Sequence, residues 1–154
     1  MNIGKSMMLA TVGFALVAGI AYEAAAQVKP EVLVKQRKAA MTLIAKYIGP
    51  VGAMVQGKIP YDAAVVARNA SFAEALSKMP WDGFETSTQN FKETRAKPEI
   101  YSNSAKFNAA SESMQTEIGK LAAAARSGDQ NAVKTAFGGV GKTCKACHDD
   151  FRND

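Results

Sequence analysis

The chain has 154 residues and a mass of 16.3 kDa, carries a formal charge of +5, and is 47% hydrophobic and 21% charged. That composition excludes a disordered or low-complexity chain, and the length suits one domain with a proper core rather than two. The two cysteines and the single histidine are Cys144, Cys147 and His148. A zinc site of two Cys and two His is therefore excluded, as is a catalytic triad with its histidine elsewhere.

The first stretch reads as an address rather than as part of the fold. Lys5 gives a short positive region, Met7 to Tyr22 an apolar run, and Ala24-Ala25-Ala26 a small-residue cleavage signal before Gln27. The apolar run is about 16 residues, short of the roughly 20 that a spanning helix needs. Residues 1–26 are thus expected to be a signal peptide cleaved after Ala26, with an uncleaved anchor as the alternative. The mature protein, residues 27–154, would be periplasmic, with no membrane attachment after cleavage. Cleavage removes Lys5 and Glu23 together and leaves the net charge unchanged. The basic residues are scattered, with no run of four and no interleaved aromatics, so no nucleic-acid partner is expected. A lysine-bearing surface that docks an acidic partner and a merely solvated face both fit.

Four helical patterns follow, with no run of strand-like alternation. The first opens at Pro30-Glu31, where proline suits a first turn and the acid complements the dipole. Its apolar face includes Val34, Met41, Ile44 and Ile48; Gly49-Pro50 should kink or interrupt it before a last turn towards Gly57. The second starts after Pro60 with Asp62 as N-cap, carries Val65, Phe72, Leu76 and Met79, and ends at Pro80. Residues 80–101 form a long polar connection, with Trp81, Phe84 and Phe91 as anchors. Such a loop is expected to cross one end of a bundle as a non-hairpin link. The third helix sets Phe107, Ala110, Met114, Ile118, Leu121 and Ala125 on one face and stops at Gly128. The fourth follows Asp129 and aligns Val133, Phe137, Val140, Cys144, Cys147 and Phe151. An all-α four-helix bundle is the expected fold.

Cys144-Lys145-Ala146-Cys147-His148 is C-x-x-C-H, the attachment motif of c-type haem. Helical residues three apart share a face, so both thiols can meet the two vinyl groups on one porphyrin edge, with His148 as axial ligand. Two alternatives compete. A thioredoxin-like pair belongs at a helix N-terminus, whereas this motif ends the last helix. A structural disulfide within one helix is poorly placed for the bond geometry. Gly138, Gly139 and Gly141 are costly in a helix and suggest close approach of the first helix or of haem, unless packing alone explains them.

The leader, the four helical patterns and a haem motif near the C-terminus resemble the class II c-type cytochromes, the cytochrome c′ family. The likeness covers the mature chain. It rests on Lys29-Pro30-Glu31 with Arg37-Lys38-Ala39-Ala40-Met41, on Pro60-Tyr61-Asp62, on Lys97-Pro98-Glu99-Ile100-Tyr101, and on the run from Gly141 to Arg152. It implies one covalent haem c per chain, a four-helix bundle and a homodimer through the first two helices. The expected function is one-electron transfer with a redox partner protein that the sequence does not specify, or reversible binding of nitric oxide or carbon monoxide.

The resemblance also distributes roles. Cys144 and Cys147 carry the thioethers and His148 is the proximal ligand. Met41 takes the distal position, Arg37 sits beside a haem propionate, and Arg152 lies close to the proximal histidine. Arg37 could equally be a solvated helix residue, and Arg152 a cation that complements the helix end. With no second histidine, the sixth position is either covered by Met41 as a lid over five-coordinate iron, or ligated by it in a low-spin His/Met electron carrier. Arg37 favours the first. An enzyme is not expected, because a peroxidase needs distal acid–base groups and the sole histidine belongs to the motif.

Overall fold

The computed structural model describes residues 28–153; the leader and its cleavage position lie outside the described residues. Helix α1 (Pro30–Val55) begins with proline in its first turn and Glu31 beside it. It runs through Pro50 to its end, so that of the expected kink or interruption the interruption does not occur. Proline removes only the bond that its own amide would have made to the preceding turn. Packing holds the segment beyond it, because Val51, Gly52 and Met54 are all buried. Gly52 is needed there: a Cβ at this position would stand 2.5 Å from the Phe137 ring. Gly57, at φ 71°, then turns the chain out of the helix.

Helix α2 (Ala63–Leu76) starts on Asp62, whose carboxylate accepts the Val65 amide hydrogen at 3.0 Å. Its buried face differs from the expected one. Val66, Ala70 and Ala73 are fully enclosed, while Phe72 is 45% exposed and Met79, beyond the end of the helix, 59%. Val65 and Leu76 are half-buried against the core. Small side chains let α2 approach its neighbours closely, and bulk was the wrong guide to which face turns inward.

The connection that follows is built from two 3₁₀ turns, Trp81–Phe84 and Thr86–Thr88, and the single-turn helix α3 (Glu99–Ser102). It covers one end of the bundle, but it links neighbours, since α2 packs on the next long helix as well as on α1. Trp81 and Phe84 are anchors as expected, and Phe91 is half-buried. Helix α4 (Ser104–Ser127) buries the whole of its expected stripe except Ala110, which is half-buried, and ends on left-handed Gly128. Helix α5 (Gln130–Phe151) is capped by the Asp129 carboxylate, which accepts two amides. Short links join α1 to α2 and α4 to α5, and α5 also packs on α1, so the four long helices close a bundle.

The core divides into two parts. The larger fills the bundle axis around Ile44, Val51, Val66, Ile118, Leu121, Val133 and Val140. The smaller is aromatic and lies under the long connection, where Phe107 meets Phe84 at 4.9 Å and Phe151 at 5.3 Å between ring centres. The expectation for the glycines of α5 needs correcting. A Cβ on Gly139 would collide with the Glu117 side chain of α4, so the close neighbour is α4 rather than α1. Gly138 and Gly141 have open space.

Candidate haem site

Cys144 and Cys147 lie at the junction of the two core regions. Cys144 packs against the axial cluster, and Cys147, three residues on, against the aromatic one. Both are half-buried and free. Burial pushes the Cys144 thiol above its ordinary value; burial, then Cys144 and Asp150, do the same at Cys147. A disulfide oxidoreductase needs the opposite, a thiol driven towards thiolate. These are protonated thiols held side by side on one helical face.

His148 follows on the outer side of α5. Burial, then Arg152 and Arg95, lowers its pKa, against a smaller opposing influence of Asp149. The ring is therefore neutral near pH 7, as an iron ligand must be. Arg152 reaches back one turn and places Nη1 3.4 Å from His148 Nδ1, as the four-residue spacing predicts. The connection clamps this helix end. Lys97 N donates to the Phe151 carbonyl at 3.0 Å, Asn153 N to the Arg95 carbonyl at 2.8 Å, and Lys97 Nζ to the Asp149 carbonyl at 2.8 Å.

On α1, Arg37 is 3% exposed, so its reading as a solvated residue fails. Its guanidinium donates to the Gly83 carbonyl, to Thr88 Oγ1 at 3.0 Å and to Thr94 Oγ1 at 2.9 Å, and lies 4.3 Å from the centre of the Phe84 ring. Thr88 in turn shares a hydrogen bond with Tyr101 Oη at 2.8 Å. Every oxygen that Arg37 meets among the described residues is neutral. A buried cation without a carboxylate partner is costly unless an anion completes it. Gly83 makes this contact possible: a Cβ would stand 2.8 Å from the Leu33 carbonyl and 2.7 Å from Arg37 Cβ. Gly83→Ala should therefore lower the unfolding free energy by about 1–3 kcal/mol in urea titration, through overpacking.

Met41, one turn after Arg37, is half-buried against the axial cluster that also receives Cys144. The partners of Arg37 in the connection, Gly83, Thr88 and Thr94, escape a reading of the sequence because no periodicity marks a polar loop. The donor set suits haem c: paired uncharged thiols, an adjacent neutral imidazole, and a buried guanidinium that meets no carboxylate among the described residues.

Comparison with known proteins decides the family. The family model described as Cytochrome C′ matches residues 32–152. The chain belongs to the cytochrome c′ family. It is 43% identical over 124 residues to the cytochrome c′ of Alcaligenes xylosoxydans, covering 80% of this chain and 95% of that one. The Rubrivivax gelatinosus cytochrome c′ is 42% identical, with 80% and 96% covered. Its crystal structure superposes with a TM-score of 0.79 over 81% of this chain and 98% of its own. A nitric oxide complex of an Alcaligenes xylosoxidans cytochrome c′ variant does so at 0.76 and 42% identity, over 82% and 98%. The fold is the four-helix bundle of this family, whose members carry covalent haem c. No helix among the described residues is long and apolar enough to cross a membrane.

Proposed function

We propose that this member of the cytochrome c′ family is a periplasmic monohaem cytochrome that transfers one electron and reversibly binds nitric oxide or carbon monoxide. Covalent haem supplies a one-electron centre and an iron that takes diatomic ligands. In this reading Cys144 and Cys147 hold the macrocycle and His148 the iron, while Met41 closes the distal side. Arg37 pairs with a propionate, and Arg152 fixes the His148 ring. The observation that carries the reading is the pair of free thiols three residues apart on one face of α5, with His148 beside them, at the helix end clamped by the connection. The export expected from the leader would agree with it, because haem of this type is attached outside the cytoplasm. The nitric oxide complexes of relatives support the gas ligand.

The optical spectrum of the ferrous protein, taken before and after carbon monoxide, is the test. A broad high-spin spectrum that shifts with the gas is expected, and Met41→Ala should bind carbon monoxide more readily while staying high-spin. A sharp low-spin spectrum that ignores the gas, and is lost in Met41→Ala, would make Met41 a ligand and the protein a His/Met carrier.

A homodimer through α1 and α2 completes the proposal. Val32 and Leu43 on α1 and Phe72 on α2 are exposed apolar residues, and Tyr47 meets the Phe72 ring at 5.0 Å, so an apolar face spans both helices. Phe72→Glu should sediment as a monomer at concentrations where the native chain is a dimer.

A further inference from the structure

At the end of the bundle where α5 stops, the charges are not evenly balanced. Arg95, Lys97, Lys106, Lys145 and Arg152 gather there; Glu93 and Glu99 flank the cations of the connection in the chain, and α5 brings Asp149 and Asp150. Both aspartates are already engaged: Asp149 with Lys145, and Asp150 with Lys106 at 3.0 Å. Among the described residues, Arg95, Lys97 and Arg152 form no ion pair. Between them lies an open polar hollow of about 580 Å³ lined by Lys97, His148, Asp149, Arg152 and Asn153.

The backbone that carries these cations is fixed in place. The Arg95 carbonyl accepts the Asn153 amide hydrogen, Ala96 pairs with Arg152 across the clamp, and Lys97 is held at both its backbone and its ammonium. Lys97, tethered at its ammonium, and Arg152, set beside His148, lose less side-chain freedom on meeting a partner than free side chains do. No exposed aromatic residue lines the hollow on which a base could stack, so a nucleic acid is not its match.

We propose that this hollow, with Arg95, Lys97 and Arg152 around it, is the docking site for carboxylates of an acidic redox protein. Electrons would then pass beside His148, the residue at its floor. The proposal rests on haem attachment at the motif.

The test uses the ferric holoprotein and two flash-generated reductants, the semiquinone of flavin mononucleotide, which carries an anionic phosphate, and that of lumiflavin, which is uncharged. Added salt should slow the first reaction and leave the second unchanged. The pair R95Q/K97Q should cut the flavin mononucleotide rate at low salt by at least threefold, with the lumiflavin rate unaltered. Lys134→Gln, about 21 Å away along α5, should change neither. Poly-L-glutamate, standing in for an acidic protein surface, should inhibit the native chain and not R95Q/K97Q. Inorganic phosphate at equal ionic strength should inhibit far less.

Equal inhibition by phosphate would make the hollow a small-anion site and overturn the docking proposal. So would a flavin mononucleotide rate that ignores R95Q/K97Q, or one that falls as far with Lys134→Gln. A purified chain that carries no covalent haem overturns the haem reading, and docking with it.

Discussion

Serine at both Cys144 and Cys147 should leave a protein from which acidified acetone extracts all the haem, while the native chain keeps its colour through the same treatment. The two thiols lie on one face of α5, three residues apart, so each can form one thioether to the same macrocycle edge. Losing both removes every covalent tie and leaves only axial ligation and packing. Each single variant keeps one tie and should retain haem in acetone, with an altered pyridine haemochrome spectrum. The pyridine spectrum and haem staining of a denaturing gel measure the outcome. Colour that survives acetone in the double variant would show that other residues hold the group.

Arg37→Leu should destabilise the holoprotein by about 3 kcal/mol, read as a lower urea midpoint with an unchanged slope. The guanidinium makes three hydrogen bonds, to Gly83, Thr88 and Thr94, and stacks on Phe84. A leucine leaves the buried Gly83 carbonyl without its main donor, and that alone costs about 1–3 kcal/mol. Arg37→Lys should lose about half as much, because it keeps the charge and gives up the planar fork that reaches separate oxygens. A loss below about 1 kcal/mol in Arg37→Leu would mean that the aromatic contacts alone hold the connection.

Helix α4 was legible almost residue by residue, because its large apolar side chains recur at helical spacing and all turn inward. The motif on α5 was equally plain, since its chemistry depends on residue type and spacing within one element. Helix α2 was misread because packing there favours Val66, Ala70 and Ala73 over Phe72, and hydrophobic size does not encode which face must come close. At Pro50 the sequence leaves a kink and an interruption both open, because the missing amide is visible in it while the burial of Val51 that holds the next turn is not. The site was legible in its local parts and hidden in its long-range ones. Arg37 signals only by likeness to a family; its hydroxyl and carbonyl partners, 46 to 57 residues away, emerge only when the connection folds back on α1.

The clamp between the connection and the end of α5 also determines how that region opens. The Lys97 amide is held by Phe151 and the Asn153 amide by Arg95, so neither can exchange its hydrogen unless the two segments separate. Thr94, which holds Arg37, also accepts the Ala96 amide hydrogen at 3.1 Å, and this links the clamp to α1. Separation there would therefore loosen both flanks of the cysteine-bearing face together. The start of α1 and the end of α5 should open as one unit, and the Lys97 and Asn153 amides should show one common protection factor in hydrogen–deuterium exchange.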